Sequence, residues 1–366
     1  MRRSLLTLIM APVLACTAGS GDTTLPPTTT PPTESTSAAA TIGETTTVAS
    51  TTPETTTPNT QPATIAPEQL VLESFPVPSG SGPHDVAPAH DGGVWYTAQH
   101  SGELGWLDPA TGETRHTNLG EGSAPHGVII DDAGHAWVTD GGLNAILAID
   151  PVGLEVTSYP LPEDRHAANL NTASFDGDGI LWFTGQNGIY GSLDPHSGDM
   201  VVHDAPQGQG PYGVTTTPDG VVYYASLAGS HIARIESDGS ATVIEPPTPD
   251  QGARRVWSDS EGAIWVSEWN AGNLSRYTPD SDSWDTWHLP GDRAETYAVF
   301  VDHTDTVWAS DFGSNSMVRF DPTTEAFHTY VLPHDPGNVR QILGRPGEVW
   351  FPESAADNLI VIRTSE

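Results

Sequence analysis

The sequence contains no lysine and only one cysteine. Its 366 residues carry 47 Asp and Glu against 13 basic residues, all of them arginine, for a formal net charge of −34. A surface this poor in positive charge would repel a polyanion, which excludes an ordinary nucleic-acid-binding protein. A P-loop nucleotide site is excluded because that motif needs a lysine. The single cysteine excludes an internal disulfide and a thiolate metal cage.

The N-terminal apolar run is too short to span a bilayer. It follows Arg2 and Arg3, extends from Leu5 to Leu14 and leads through a small residue to Cys16. This order predicts a lipoprotein signal peptide over residues 1–15, with Cys16 as the lipidated first residue of the mature protein. An ordinary cleaved secretory signal is the alternative. Both predict an extracytoplasmic protein, lipid-anchored to the cell envelope or secreted, with a lipid as its only membrane contact.

A Thr- and Pro-rich segment comes next. Residues 23–67 contain 18 Thr and 8 Pro and almost no large apolar side chain. Such a segment cannot bury enough surface to offset the entropy of ordering it. We therefore predict a disordered linker over residues 16–68 and a folded domain over residues 69–366. The folded domain holds 42 of the acidic residues and 11 of the arginines.

The rest of the chain repeats with a period of about 42 residues. Seven aromatic residues recur at spacings of 41 to 45: Trp95, Trp137, Trp182, Tyr223, Trp265, Trp308 and Trp350. Around each lie a short apolar strand, a turn, the aromatic strand, a third strand and a fourth strand. Four strands per unit predict an all-β fold, a seven-bladed β-propeller. The last unit lacks a fourth strand, so we predict that Leu70–Phe75 supplies it and closes the ring.

Eleven residues before each blade aromatic lies a position that samples the mouth of the central channel. The seven mouth residues are His84, His126, Asn171, Tyr212, Arg254, Tyr297 and, allowing for one deletion, Arg340. A plugged channel would carry apolar residues here, whereas all seven side chains can form hydrogen bonds. The pattern favours a site for a small-molecule or peptide-like ligand. A water-filled funnel without a specific ligand is the alternative.

Acidic residues recur three positions after the blade aromatic, at the end of the second strand. They are Asp140, Glu268, Asp311 and Glu353. On the same face as the two histidines, these carboxylates could bind a divalent cation or act as acid and base. A solvated acidic rim is the alternative interpretation.

Three stretches of the repeat resemble a known family: Pro83-His84, Ala124-Pro125-His126-Gly127-Val128 and Gly210-Pro211-Tyr212-Gly213-Val214, with strands such as Leu181-Trp182-Phe183-Thr184. They are similar to the repeats of the streptogramin B lyases, also called virginiamycin B lyases, and the resemblance covers residues 70–366. It implies a magnesium-dependent lyase, which opens a cyclic depsipeptide antibiotic by elimination across its ester bond and adds no water.

The resemblance also implies a site. The family is described with two histidines at the mouth position of consecutive blades, a glutamate two residues before the second histidine, and another at the end of that blade's second strand. Here His84 and His126 match the histidines as catalytic residues and Asp140 matches the second carboxylate, but the first glutamate position holds Ala124. Glu353 of the adjoining blade is a possible substitute ligand for Mg²⁺.

In the implied mechanism, the metal polarises a carbonyl, His126 removes the neighbouring Cα proton, and His84 protonates the leaving group or orients the metal. The other five mouth residues bind the substrate. We expect the protein to be a monomer, and two further functions remain open for it. One is a non-catalytic envelope propeller that binds a glycan, peptide or protein partner. The other is a metal-dependent lactone hydrolase.

Overall fold

The computed structural model describes residues 66–364. The predicted signal peptide, Cys16 and nearly all of the predicted linker lie outside the described residues, and the export and lipidation that they indicate stay predictions. The described part consists of 28 strands and three short 3₁₀ helices, Pro67–Gln69, Glu163–Arg165 and Pro279–Ser281. No helix within this part is long and apolar enough to cross a membrane.

The strands form seven antiparallel sheets of four strands each, which confirms the predicted all-β, seven-bladed propeller. The chain begins with β1 (Leu72–Pro76). Blade 1 contains β2 (Pro83–Pro88), β3 (Val94–Ala98), β4 (Glu103–Leu107) and β5 (Thr114–Asn118). Blade 2 contains β6 (Pro125–Ile130), β7 (Ala136–Asp140), β8 (Ala145–Ile149) and β9 (Val156–Pro160). Blade 3 contains β10 (Leu170–Phe175), β11 (Leu181–Gly185), β12 (Ile189–Leu193) and β13 (Met200–Asp204).

The remaining blades repeat this order. Blade 4 contains β14 (Pro211–Thr216), β15 (Val222–Ser226), β16 (His231–Ile235) and β17 (Ala241–Ile244). Blade 5 contains β18 (Ala253–Ser258), β19 (Ile264–Glu268), β20 (Asn273–Thr278) and β21 (Ser283–His288). Blade 6 contains β22 (Thr296–Val301), β23 (Val307–Asp311), β24 (Ser316–Asp321) and β25 (Ala326–Val331). Blade 7 contains β26 (Leu343–Arg345), β27 (Glu348–Glu353) and β28 (Asn358–Arg363).

The N-terminal strand completes blade 7. β1 pairs antiparallel with β28, with Leu72 opposite Ile362 and Pro76 opposite Asn358. The predicted closing strand is confirmed. The observed strand starts two residues later than predicted and ends one residue later. Closure covers an edge that would otherwise expose unpaired backbone groups.

The blade aromatics are core residues, and several are tied to the turn before them. The indole N–H of Trp308 donates to Asp302 Oδ2 at 2.8 Å, and the same bond joins Trp137 to Asp131 at 3.0 Å. The indole N–H groups of Trp182 and Trp265 donate in the same way to Asp176 and Asp259. The second carboxylate oxygen accepts backbone N–H groups of the turn. We call this arrangement the indole–aspartate pair.

The innermost strands carry an irregularity next to the channel. The pairing of β2 with β3 shifts between Pro83 and Val86, and the next five inner strands shift at the equivalent place. A bulge of this kind re-aims side chains. Neighbouring inner strands are also close: a Cβ on Gly127 would lie 2.7 Å from the Asn171 carbonyl oxygen. Glycine is therefore needed beside His126.

Candidate functional site

The two mouth histidines lie against each other in the structure. His84 at the start of β2 and His126 at the start of β6 have ring centroids 3.8 Å apart, at an interplanar angle of 46°. The side chains are largely buried, with residue exposures of 4% and 7%. The predicted catalytic histidines of consecutive blades are thus neighbours in space.

Asp85 is a functional candidate that the sequence did not single out. Its Oδ1 lies 2.7 Å from His84 Nδ1 and accepts a hydrogen bond from Arg255 Nη2 at 3.1 Å. A carboxylate in an ion pair with arginine is only an acceptor, so the proton of His84 lies on Nδ1 and the Nε2 lone pair is free. Burial raises the pKa of Asp85, and the Arg255 charge opposes that rise.

A hydrogen-bond chain fixes the second histidine. Arg255 Nη1 donates to Thr172 Oγ1 at 2.6 Å, and that hydroxyl donates to Asn171 Oδ1 at 2.8 Å. Asn171 Nδ2 therefore faces His126 Nε2, 3.2 Å away, and donates to it. His126 Nε2 is consequently an acceptor, and its proton lies on Nδ1, which has no hydrogen-bond partner among the described residues.

Both imidazoles are held neutral. Burial, together with the charges of Arg255 and Arg340, holds the pKa of His84 well below its ordinary value. Burial and then the neighbouring His84 do the same to the pKa of His126. Near pH 7 both rings are therefore uncharged, which leaves His84 Nε2 able to accept a proton.

The opposite side of the mouth contains tyrosines and arginines. Tyr212 and Tyr297 face each other with their hydroxyl oxygens 2.6 Å apart. Arg254 Nη2 donates to Tyr212 at 3.2 Å, and Arg340 Nη1 to Tyr297 at 3.4 Å. The Arg254 guanidinium also lies 3.5 Å from the Tyr297 ring centroid. We call these four residues the Arg–Tyr face.

The two tyrosines differ in acidity. Burial raises the pKa of Tyr212 to about 12, with a further contribution from Tyr297. Burial also acts to raise the pKa of Tyr297, but the guanidinium groups of Arg254, Arg255 and Arg340 outweigh it and lower that pKa below its ordinary value. The Arg–Tyr face is therefore a region of positive potential.

The carboxylates predicted as metal ligands accept hydrogen bonds from groups around them. Asp140 accepts hydrogen bonds from Ser123 Oγ at 2.5 Å and the backbone N–H of residue 124, both before β6, and from the backbone N–H groups of residues 142 and 143 in the loop that follows it. Glu353 faces His334 Nδ1 at 2.7 Å and accepts from Asn358 Nδ2 at 3.1 Å. Glu268 and Asp311 likewise bind groups of their own blades. The four strand-end carboxylates do not converge at the mouth.

The donors that do converge do not suit magnesium. Between residues 66 and 364, the one group of three or more His, Cys, Asp or Glu side chains with ligand atoms within 4.8 Å of each other is His84, Asp85 and His126. Mg²⁺ requires an octahedron of oxygen ligands, whereas this group offers two imidazoles and one carboxylate already paired with Arg255. The expected magnesium ion therefore has no matching ligand set here.

Beneath the mouth, Asp85, Thr172, Arg255 and Gln341 line the top of a channel cavity of about 230 Å³. Gln341 Oε1 accepts the backbone N–H of Val86 at 2.9 Å, which ties blade 7 to blade 1. Lower in the channel the lining is largely apolar, with Val128, Ile130, Phe175, Val256, Trp257 and Leu343. These four polar residues thus separate the polar mouth from the apolar lower part of the channel.

Proteins similar to this chain in sequence or in fold include lyases. Virginiamycin B lyase from Nocardia farcinica is 31% identical to this chain over 229 residues, which are 60% of this chain and 74% of that protein. The structure of virginiamycin B lyase from Staphylococcus aureus superposes with a TM-score of 0.75 at 19% identity, covering 80% of this chain and 99% of the other. A catalytically inactive histidine-to-alanine variant of the Staphylococcus aureus enzyme, solved with quinupristin, gives 0.74 at 20% identity, with coverage of 80% and 99%.

The two solved structures share the fold with this chain at an identity too low to transfer residue roles. The sequence match is more specific. The virginiamycin B lyase family matches residues 70–361, which include blades 1 to 6, blade 7 as far as the middle of β28, and every mouth residue. The chain therefore belongs to the virginiamycin B lyase family.

Proposed function

We propose that the chain is a lyase that opens an ester by elimination at the channel mouth, with His84 as the general base. The observation that carries this proposal is the His84–Asp85 contact, 2.7 Å between Nδ1 and Oδ1. It orients a neutral imidazole with its Nε2 lone pair free. A base oriented by a buried carboxylate is the arrangement that proton abstraction needs.

In the proposed step, His84 Nε2 takes the proton from the carbon next to a carbonyl. The electrons of that C–H bond form a C=C bond to the neighbouring carbon, and the bond between that neighbouring carbon and the ester oxygen breaks. The oxygen leaves with its electron pair as a carboxylate, so no water enters the product. Asp85 stabilises the imidazolium that forms, as the carboxylate does in a serine protease triad.

His126 has a different role in this arrangement from the one implied by the resemblance. Its Nε2 accepts the Asn171 amide and is not available as a base. The His126 ring lies against the His84 ring, with centroids 3.8 Å apart, and restricts its orientation. Because His126 is neutral, it does not repel the positive charge that His84 acquires with the proton. We therefore assign the base to His84 and a positioning role to His126.

The test is ester opening of quinupristin, the ligand of the Staphylococcus aureus homologue. We expect the purified protein to convert it to a linear product. His84→Gln should lower kcat by about a thousandfold, because loss of the base typically costs factors of this order. His126→Gln should lower it less, by about tenfold, since positioning effects are smaller. His196→Gln, in an exposed turn, is the matched control.

A larger loss in His126→Gln than in His84→Gln would favour His126 as the base. Full activity in His84→Gln would remove the proposal altogether.

A binding function is the second candidate. It is supported by Ala124, at the position of the glutamate that the resemblance implies, and by Asp140 and Glu353, whose carboxylates already accept hydrogen bonds from neighbouring groups. A non-catalytic propeller would bind quinupristin, or another peptide-like ligand, and return it unchanged. A lactone hydrolase would instead release a product that has gained one water.

A further inference from the structure

The Arg–Tyr face holds more positive charge than its neighbours balance. Arg255 is paired with Asp85 at 3.1 Å. Arg254 and Arg340 lie on the same mouth, and neither forms an ion pair with a carboxylate in the described part of the chain. Both are half-buried. Partly desolvated cations without a counter-charge are costly, and a bound anion would offset that cost.

The hydroxyl groups of the same face leave one donor unused. Tyr212 and Tyr297 are 3% and 1% exposed and share one hydrogen bond between their oxygens. Arg254 and Arg340 donate to these oxygens and cannot take up a phenolic proton. One tyrosine hydroxyl donates to the other, and the second hydroxyl therefore has no acceptor for its own proton among residues 66–364. A buried donor without a partner indicates that a ligand supplies the acceptor.

The surroundings define the shape of that ligand. The Arg254 guanidinium lies 4.6 Å from the Trp269 ring centroid, and Arg340 lies 5.9 Å from that of Phe312. Phe312 stacks on Tyr297 with centroids 4.8 Å apart. Aromatic walls beside cationic donors suit a flat acid with an apolar body. They suit inorganic phosphate less well, since it has no apolar surface to bury.

We infer that the Arg–Tyr face binds the carboxylate group of an organic acid, held by Arg254, Arg340 and the free tyrosine hydroxyl. The inference rests on the proposed function only in placing the ligand at the same mouth. It also extends that function, because ester elimination releases a carboxylate. A substrate or product of this site accordingly carries an acidic group. Elsewhere on the protein the overall charge of −34 would repel such a group.

The test compares benzoate with benzamide, a neutral molecule of nearly the same shape, by isothermal titration calorimetry on the whole protein. We expect benzoate to bind with a Kd in the millimolar range and benzamide at least about tenfold more weakly. Arg254→Gln and Arg340→Gln should each weaken benzoate binding by about tenfold, as expected for loss of a charge-assisted hydrogen bond.

Arg115→Gln is the control variant, because Arg115 lies 3.9 Å from the Trp106 ring on the outer strand β5 and away from the mouth. Its benzoate affinity should equal that of the unmodified protein. Equal binding of benzoate and benzamide would overturn the inference, as would tighter binding of inorganic phosphate than of benzoate. Absence of saturable benzoate binding up to about 50 mM would overturn it as well.

The binding readout is independent of turnover. Benzoate binding without quinupristin turnover supports the carboxylate site and contradicts the lyase proposal. Turnover with no benzoate binding and no inhibition by benzoate supports the lyase proposal and contradicts the carboxylate site.

Discussion

At the scale of residues, the mouth is organised by side chains next to the ones that its repeat position identifies. His84, His126 and Asn171 follow from the eleven-residue offset to the blade aromatics. Asp85, Thr172 and Arg255 each come one position later, ten residues before the blade aromatic, where other blades carry Gly127, Gly213 and Ala298. The polar pattern at this position is therefore incomplete and did not mark it as a site. In β2, β10 and β18 the bulge includes both consecutive positions, and Asp85, Thr172 and Arg255 line the channel cavity. Sequence spacing can locate the strand but cannot show the bulge.

The strand-end carboxylates were selected by the repeat, but local hydrogen bonds occupy them. Asp140 is followed by Gly141-Gly142-Leu143, and the backbone N–H groups of Gly142 and Leu143 donate to its carboxylate. An aspartate before a glycine-rich turn favours local hydrogen bonds of this kind. That local competition removes Asp140 from the mouth, although its strand position points towards the same face.

The lowered pKa values of the two histidines predict a pH dependence of stability. Unfolded histidine takes up a proton near pH 6.5, whereas the folded imidazoles do so only at lower pH. Their contribution is therefore complete above about pH 6.5 and is lost as the pH falls below it, by up to about 1.4 kcal/mol per pH unit for each histidine. His84→Gln should reduce that slope.

Chemical denaturation between pH 5 and 8 measures this effect as the free energy of unfolding. His196→Gln, in an exposed turn, should keep the slope of the unmodified protein. A His84→Gln variant with an unchanged slope would show that the folded His84 does protonate in this range.

At the scale of elements, the blades were predictable because one repeated pattern determines them all. Seven aromatics at a nearly constant spacing, each flanked by apolar strands and turns, indicate four-stranded sheets packed face to face. The indole–aspartate pair adds a polar anchor to this packing. The aspartate lies six residues before its tryptophan, and it joins the first turn of the blade to the blade core.

The pair in blade 6 gives a stability prediction. Trp308 is fully buried, so Asp302→Ala would leave its indole N–H and the turn amides of residues 304 and 306 without an acceptor. We expect the free energy of unfolding to fall by about 2 to 4 kcal/mol, measured by urea denaturation.

Asp238→Ala is the matched control, since Asp238 accepts hydrogen bonds from Ser240 in an exposed turn and none from an indole in the described part of the chain. Its loss should cost about 1 kcal/mol or less. Equal losses for the two variants would mean that the indole contact contributes nothing beyond the turn.

At the scale of the whole molecule, the ring is closed by a strand from the opposite end of the described chain. β1 covers β28, in which Leu359 to Ile362 are fully buried, and Phe75 packs on Trp350 with ring centroids 5.4 Å apart. The same closure holds blade 7 beside blade 1. Arg340 and His84 therefore meet at one mouth although 256 positions separate them.

Removing β1 should open the ring. A variant that begins at residue 78 loses the whole strand, exposes the β28 edge, and should unfold at a Tm lower by roughly 10 °C or aggregate. A variant that begins at residue 66 keeps β1 and is the control. Calorimetry that finds equal Tm values for the two would contradict this account of closure.

The central claim is that the mouth opens an ester without adding water, and the fate of quinupristin in water labelled with heavy oxygen tests it most directly. The account predicts a linear product that has the mass of quinupristin and contains no labelled oxygen. It also predicts that this product is absent with His84→Gln. A product that has gained one labelled water would contradict it, and so would quinupristin recovered intact.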